Sequence, residues 1–236
     1  MTNKYINKLK TRLNEDDEFE HERMANSLGY FVKSRVQNQF TVDIDEPFTH
    51  PSYYRNVTQM LTEATEDDLV IFRLNSPGGR EDSLLALIEA VKTTQALTVS
   101  VLVGECASAA SLFCMYTDDV VVTENARMLC HGASYGFAGK DPDVRAHVRH
   151  TAKTVDKLIR NSYKFFLDDA EIDTLLDGRE LYLDSDEINE RFANRQAQYE
   201  KEELAQRKAY EAEQKALDAP KKAPAKKAVK PPTKPK

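Results

Sequence analysis

The sequence predicts an α/β fold organised on a mainly parallel sheet, and three observations carry that prediction. Apolar runs of strand length alternate with segments of helical period. The run Leu69-Val70-Ile71-Phe72-Arg73-Leu74 ends at Asn75-Ser76-Pro77-Gly78-Gly79. A second run, Leu97 to Val103, stops at Gly104 and passes through Glu105-Cys106-Ala107-Ser108-Ala109-Ala110-Ser111 into the apolar Leu112-Phe113. Repeated strand-to-helix transitions argue for right-handed βαβ units, whose strand ends are where open α/β sheets bind ligands.

Taken in order, the chain opens on a charge-rich arm over residues 1–29, with Glu15-Asp16-Asp17-Glu18 at its middle, read as a mobile or partner-dependent segment. Partial alternation from Phe31 to Ile44 suits strands, and Pro51 suits the first turn of a helix. Val57, Met60, Leu61 and Ala64 then recur at spacings of three and four, which gives that helix a buried face. Leu84, Leu87, Ile88 and Val91 form the stripe of a second helix between the two apolar runs. Val120–Thr123 and Arg127–Cys130 read as further strands, after which His131 begins a stretch containing Gly132, Gly136 and Gly139. A long helix is predicted from about Pro142 to Leu167, with Val144, Val148, Ala152, Val155, Ile159 and Phe166 on one stripe. A short helix over Ala170–Leu176 follows. Asp184-Ser185 then caps a last helix that turns almost wholly polar after Phe192.

This gives one folded domain over residues 30–193, a charged helical extension over 194–217 and a Lys/Pro/Ala tail over 218–236. The tail from Pro220 holds seven lysines and no acid, so the net charge of −6 understates how acidic the body is. Lys, Pro and Ala in that mixture bury too little apolar surface to offset ordering, and the tail is expected to be disordered. No run reaches the length of a membrane span, and the first residues lack a secretory apolar region. Cys106, Cys114 and Cys130 show no zinc spacing and cannot all pair, which favours reduced thiols in a cytoplasmic setting.

Ser108 falls near a predicted strand-to-helix turn, where unpaired helical amides favour a developing negative charge. The same small residues also suit close helix packing alone, and Cys106 competes as a nucleophile or as a small buried thiol. Gly78 and Gly79 let the main chain approach a substrate closely, so amides there suit half of an oxyanion hole; an ordinary turn explains the same residues. Of the five histidines, His21 lies in the arm, His50 beside a surface helix start, and His147 and His150 in a charge-rich helix. His131 alone ends a predicted core strand and precedes a glycine-rich loop, the setting a general base needs. Asp177, Glu180 and Asp184 all flank Leu181-Tyr182-Leu183, and spacing does not choose among them as the acid that would orient an imidazole.

Ser76-Pro77-Gly78-Gly79, Gly104-Glu105-Cys106-Ala107-Ser108-Ala109-Ala110 and Ala126-Arg127-Met128-Leu129-Cys130-His131, in that order, resemble the motifs of the ClpP-like serine peptidases. That family lies within the wider ClpP/crotonase-like fold, and the resemblance covers about Arg35 to Ala193. It implies repeated ββα units with a protruding long helix. It also implies Ser108 as nucleophile, His131 as general base, and the amides of Gly78 and Ala109 as the oxyanion hole. The family's acid falls on Glu180, where aspartate is usual, with Asp177 in reserve. No metal or organic cofactor is implied. The implied partners are a polypeptide substrate and further copies of the chain in stacked, heptameric rings joined through the long helix. An unfoldase ATPase is a family partner, although the arm differs from the usual axial loop segment. Head maturation proteases of tailed phages, which meet capsid proteins in a prohead, share this pattern and also carry unusual termini. The rival expectations are a crotonase-type acyl-CoA enzyme and an inactive scaffold subunit, the latter suggested by Glu180.

Overall fold

The two long apolar runs form the central strands of the sheet. In the computed structural model, which describes residues 37–218, the strands are β1 (Gln39–Ile44), β2 (Leu69–Ser76), β3 (Leu97–Ala107), β4 (Asp119–Val122), β5 (Arg127–His131) and β6 (Glu180–Leu183). They make one six-stranded sheet in the order β1-β2-β3-β5-β6, with β4 also against β3. β3 is long enough to serve two neighbours: Val99–Leu102 pairs with β4, and Glu105–Ala107 pairs with β5. All of these pairings are parallel except β5 with β6. The mixed α/β architecture agrees with the fold expected from the sequence.

The parallel crossovers run through α1 (Arg55–Glu63) and α2 (Glu81–Thr93). Pro51 starts a 3-10 turn over Pro51–Tyr54 rather than α1 itself, and His50 Nδ1 caps it by accepting from the Ser52 amide at 3.2 Å. Glu81 and Asp82 sit in the first turn of α2, where their charge complements the helix dipole. Leu84, Leu87 and Val91 of α2 are buried in the same core as Phe72 and Leu74 of β2, as the stripe predicted. Each such side chain contributes about 1.5–3 kcal/mol on burial.

A short α3 (Ala109–Phe113) follows β3, and Phe113 meets Phe72 edge-on with ring centroids 5.0 Å apart. α4 (Asp141–Ser162), α5 (Asp169–Leu176) and α6 (Ser185–Asp218) complete the described residues. α4 ends at Ser162, short of the expected Leu167, because Tyr163 leaves helical geometry and Phe165 takes φ 64°. Only the later part of its apolar stripe is covered: Val155 and Ile159 are buried, whereas Val148 and Ala152 are exposed. Asp168 and Glu171 form a reciprocal capping box at the start of α5. Asp184 caps α6 by accepting from the Asp186 and Glu187 amides, each at 3.0 Å, while Glu187 returns a bond to the Asp184 amide.

β3 also differs from expectation, since it continues through Gly104 to Ala107. The register with β2 shifts between Leu74↔Leu102 and Ser76↔Cys106, so β3 carries extra residues across a bulge. Asn75 fills the gap: its Oδ1 accepts from the Glu105 amide at 3.0 Å. A Cβ on Gly104 would lie 2.5 Å from that oxygen, so a larger residue there displaces the Asn75 side chain from this bond.

The chain divides into two units, Met1–Tyr199 and Glu200–Lys236. The sheet and the packed helices belong to the first. The described part of the second is helical to Asp218 and carries the Arg207–Glu211 ion pair at 3.1 Å. The expected arm over 1–29, the start of the expected strand from Phe31, His21 and the lysine-rich tail from Ala219 lie outside the described residues.

Candidate active site

Ser108 stands at the junction of β3 and α3 with φ 54° and ψ −120°. A non-glycine residue held there costs about 1–3 kcal/mol and persists only when its surroundings over-determine it. They do so here. The Ser108 amide donates to the Leu129 carbonyl at 2.9 Å, and the Ser108 carbonyl accepts from the Leu112 amide at 3.1 Å and the Ser111 hydroxyl at 2.7 Å. This geometry lifts the Ser108 side chain out of the helix to come and into a cavity of about 820 Å³.

The Ser-Pro-Gly-Gly loop closes over the same turn. Gly78 has φ 91°, and a Cβ there would lie 2.5 Å from Ser108 Cβ and 2.7 Å from the Ala109 nitrogen. The Gly78 amide donates to Ser76 Oγ at 3.2 Å, and Ser76 in turn donates to the Glu46 carbonyl at 2.7 Å. The neighbouring Gly79 lines the cavity together with Ala109. Neither the Gly79 amide nor the Ala109 amide, the latter at the first position of α3, has a hydrogen-bond acceptor among the described residues. Sequence spacing marked the glycine pair without choosing between its amides. The Ser76 hydroxyl is what separates them.

His131 ends β5 and lines the cavity with Ser108. Its Nδ1 bonds the Gly132 carbonyl, and since a carbonyl only accepts, Nδ1 is the donor, which leaves Nε2 as the acceptor of a neutral imidazole. The imidazole and the Ser108 hydroxyl make no hydrogen bond to each other in this arrangement. Leu84, Leu112, Val155 and Ile159 supply an apolar wall, and Arg80 and Asp82, paired at 2.6 Å, stand at the rim.

The three candidate acids separate clearly. Glu180 is the register partner of His131 across the antiparallel β5–β6 pair, so the two side chains leave the same face of the sheet. Its Oε2 is nevertheless taken by the Tyr182 hydroxyl at 2.6 Å, which pushes the Tyr182 phenol upward. Asp177 ends α5 and lies exposed, outside the cavity. The Asp184 carboxylate is committed to capping α6.

The remaining histidines stay apart: His50 caps the 3-10 turn, His147 stacks on Phe137 at 4.0 Å, and His150 is exposed on α4. Cys106 is fully buried, and burial, with Cys114 alongside, pushes its thiol well above the usual range. A protonated, enclosed thiol is not a nucleophile. Among the described residues no cluster of three or more His, Cys, Asp or Glu side chains is arranged to hold a metal ion. No helix there is long and apolar enough to cross a membrane.

Comparison with known proteins agrees with this architecture. The Clp protease family model matches residues 24–190, which spans β1 to β6 and every group described around the cavity. ATP-dependent Clp protease proteolytic subunit 1 of Chlamydia muridarum is 25% identical over 142 residues, covering 58% of this chain and 74% of that protein. The ATP-dependent Clp protease proteolytic subunit of Deinococcus radiodurans is 24% identical over 135 residues, covering 55% of this chain and 66% of that protein. With most of its length matched and its sheet built as the motifs required, this chain belongs to the Clp protease family and is a ClpP-like peptidase by descent.

Proposed function

We propose that the chain is a serine endopeptidase in which Ser108 attacks a peptide carbonyl while His131 Nε2 takes and later returns the proton. The observation that carries this is the Ser108 turn: a serine held at φ 54° in one cavity with an imidazole whose Nδ1 is engaged by the Gly132 carbonyl. The Ala109 amide and the Ser-Pro-Gly-Gly loop receive the oxyanion. Gly78 is the donor implied by family resemblance, and its bond to Ser76 favours the adjacent Gly79 amide for the same task. Glu180 serves as the acid that orients His131 once its carboxylate leaves Tyr182, with Asp177 in reserve.

The peptidase domain is residues 30–193, extended by the charged segment 194–217 and the lysine-rich tail 218–236. It works as a homo-oligomer of heptameric, stacked rings enclosing a chamber. The uncovered Val148 and Ala152 of α4 support contacts between copies along that helix. The relatives' description as ATP-dependent proteolytic subunits supports an ATPase that delivers polypeptide in the cytoplasm. Maturation of a phage prohead is the other setting for the same chemistry.

A fluorophosphonate probe tests the reading. Labelling that maps to Ser108 and vanishes in Ser108→Ala supports the peptidase. An assembled protein that never labels points to a scaffold subunit, and tight CoA binding without labelling points to acyl-CoA chemistry.

A further inference from the structure

We infer that Ser111 and Tyr163 form a buried hydroxyl relay that fixes the turn presenting Ser108, which makes Ser111 a positioning residue for the reaction proposed above. Both side chains are completely buried, and their oxygens lie 2.7 Å apart. Ser111 Oγ is also 2.7 Å from the Ser108 carbonyl oxygen and 3.2 Å from that of Leu129. Carbonyls only accept, so we assign the single Ser111 proton to them, chiefly to Ser108, with the Tyr163 hydroxyl, which also neighbours the Cys130 thiol, donating to Ser111 Oγ. With that assignment the relay runs from Tyr163 to Ser111 to the Ser108 peptide group.

Three elements meet in this relay. Ser111 is in α3, Leu129 is in the strand that ends at His131, and Tyr163 is the C-cap of α4, whose Val155 and Ile159 wall the cavity. The Leu129 carbonyl accepts from the Ser108 amide as well as facing Ser111 Oγ, so the nucleophile turn and the His131 strand are held through one shared group. Burial pushes the Tyr163 phenol well above its usual range and holds the adjacent Cys130 thiol up at about 12, so both stay neutral. Its work is to keep a strained residue in place. Small displacements of a reacting group lower rates steeply.

The experiment is a double-mutant cycle on the full chain, comparing Ser111→Ala, Tyr163→Phe and Ser111→Ala/Tyr163→Phe by denaturant unfolding, by fluorophosphonate labelling of Ser108 and by peptide hydrolysis. Ser111→Ala leaves the buried Tyr163 hydroxyl with only the Cys130 thiol, a weak partner, and destabilises the fold, while removing both hydroxyls restores much of that stability. Positioning predicts that the double variant regains stability yet stays about 10–100-fold slow in labelling and in kcat, with KM and the pH profile unchanged. Tyr163→Phe, which retains the Ser111 bond to Ser108, is slowed less. Activity that returns together with stability in the double variant overturns the inference, as does Ser111→Ala labelling at the wild-type rate. A wild-type chain that neither labels nor cleaves overturns the peptidase reading itself, a result distinct from either.

Discussion

His131 and Glu180 stand directly opposite one another in the register of β5 and β6, yet each side chain is bonded elsewhere, His131 to the Gly132 carbonyl and Glu180 to the Tyr182 hydroxyl. Opposed residues of an antiparallel pair have Cβ atoms about 5 Å apart, so rotation of the longer glutamate arm is enough to reach Nδ1. Glu180→Ala is therefore expected to lower kcat, by up to about 10⁴-fold if the carboxylate orients the imidazole throughout turnover. Because the Gly132 carbonyl already holds the required tautomer, a smaller loss than that is expected. Asp177→Ala remains near wild type, and Tyr182→Phe, which releases Glu180, does not reduce the rate. Steady-state hydrolysis of one peptide by the three variants checks the order, and a severe loss in Asp177→Ala reassigns the acid.

Gly78→Ala meets two obstacles, a φ of 91° and contacts of 2.5–2.7 Å with Ser108 Cβ, the Ala107 carbonyl and the Ala109 nitrogen. The atoms in the way are backbone or Ser108 Cβ, so relief comes only by moving the turn. The variant is expected to lose more than about 1 kcal/mol of stability and to label poorly. Denaturation midpoints and probe incorporation, read together, check it.

Asp68 is only 4% exposed and accepts from the Thr65 amide and hydroxyl, each at 2.8 Å, and from the Asn38 amide at 3.0 Å and side chain at 2.8 Å. These bonds, that of the Thr65 amide foremost, lower its pKa from 3.8 to about 2. The folded state thus holds the proton less tightly than the unfolded chain. The contribution is complete above the ordinary value and is lost as pH falls through about 2. Asp68→Asn should be less stable than wild type at neutral pH, with the difference narrowing on acidification over that window. Urea midpoints measured across it would refute the account if the gap stayed constant.

Phe72 is fully buried in β2 and packs edge-on against Phe113, the last residue of α3. Phe72→Ala is expected to cost about 3–5 kcal/mol, as a large side chain removed from a packed interior leaves a cavity the neighbours only partly fill. A fall in denaturation midpoint with an unchanged slope checks it.

What the sequence determined by itself was the scaffold and the neighbourhood of the chemistry. Strand runs at Leu69–Leu74 and Leu97–Val103, and the stripe on α2, are periodic signals that follow from burial on one face, and burial is a local property of each residue. Ser108, His131 and the two glycines were likewise legible as candidates, because strand ends and turns carry their own residue chemistry. Tertiary structure alone decided how far β3 runs, since that rests on Asn75 bonding Glu105 across a bulge. It alone distinguished the amides of Gly78 and Gly79, brought Glu180 opposite His131, and joined Ser111 to Tyr163 from 52 positions away. Each of these is a pairing between distant segments. Its energy depends on distances that no single stretch of chain encodes, so only the folded arrangement specifies it.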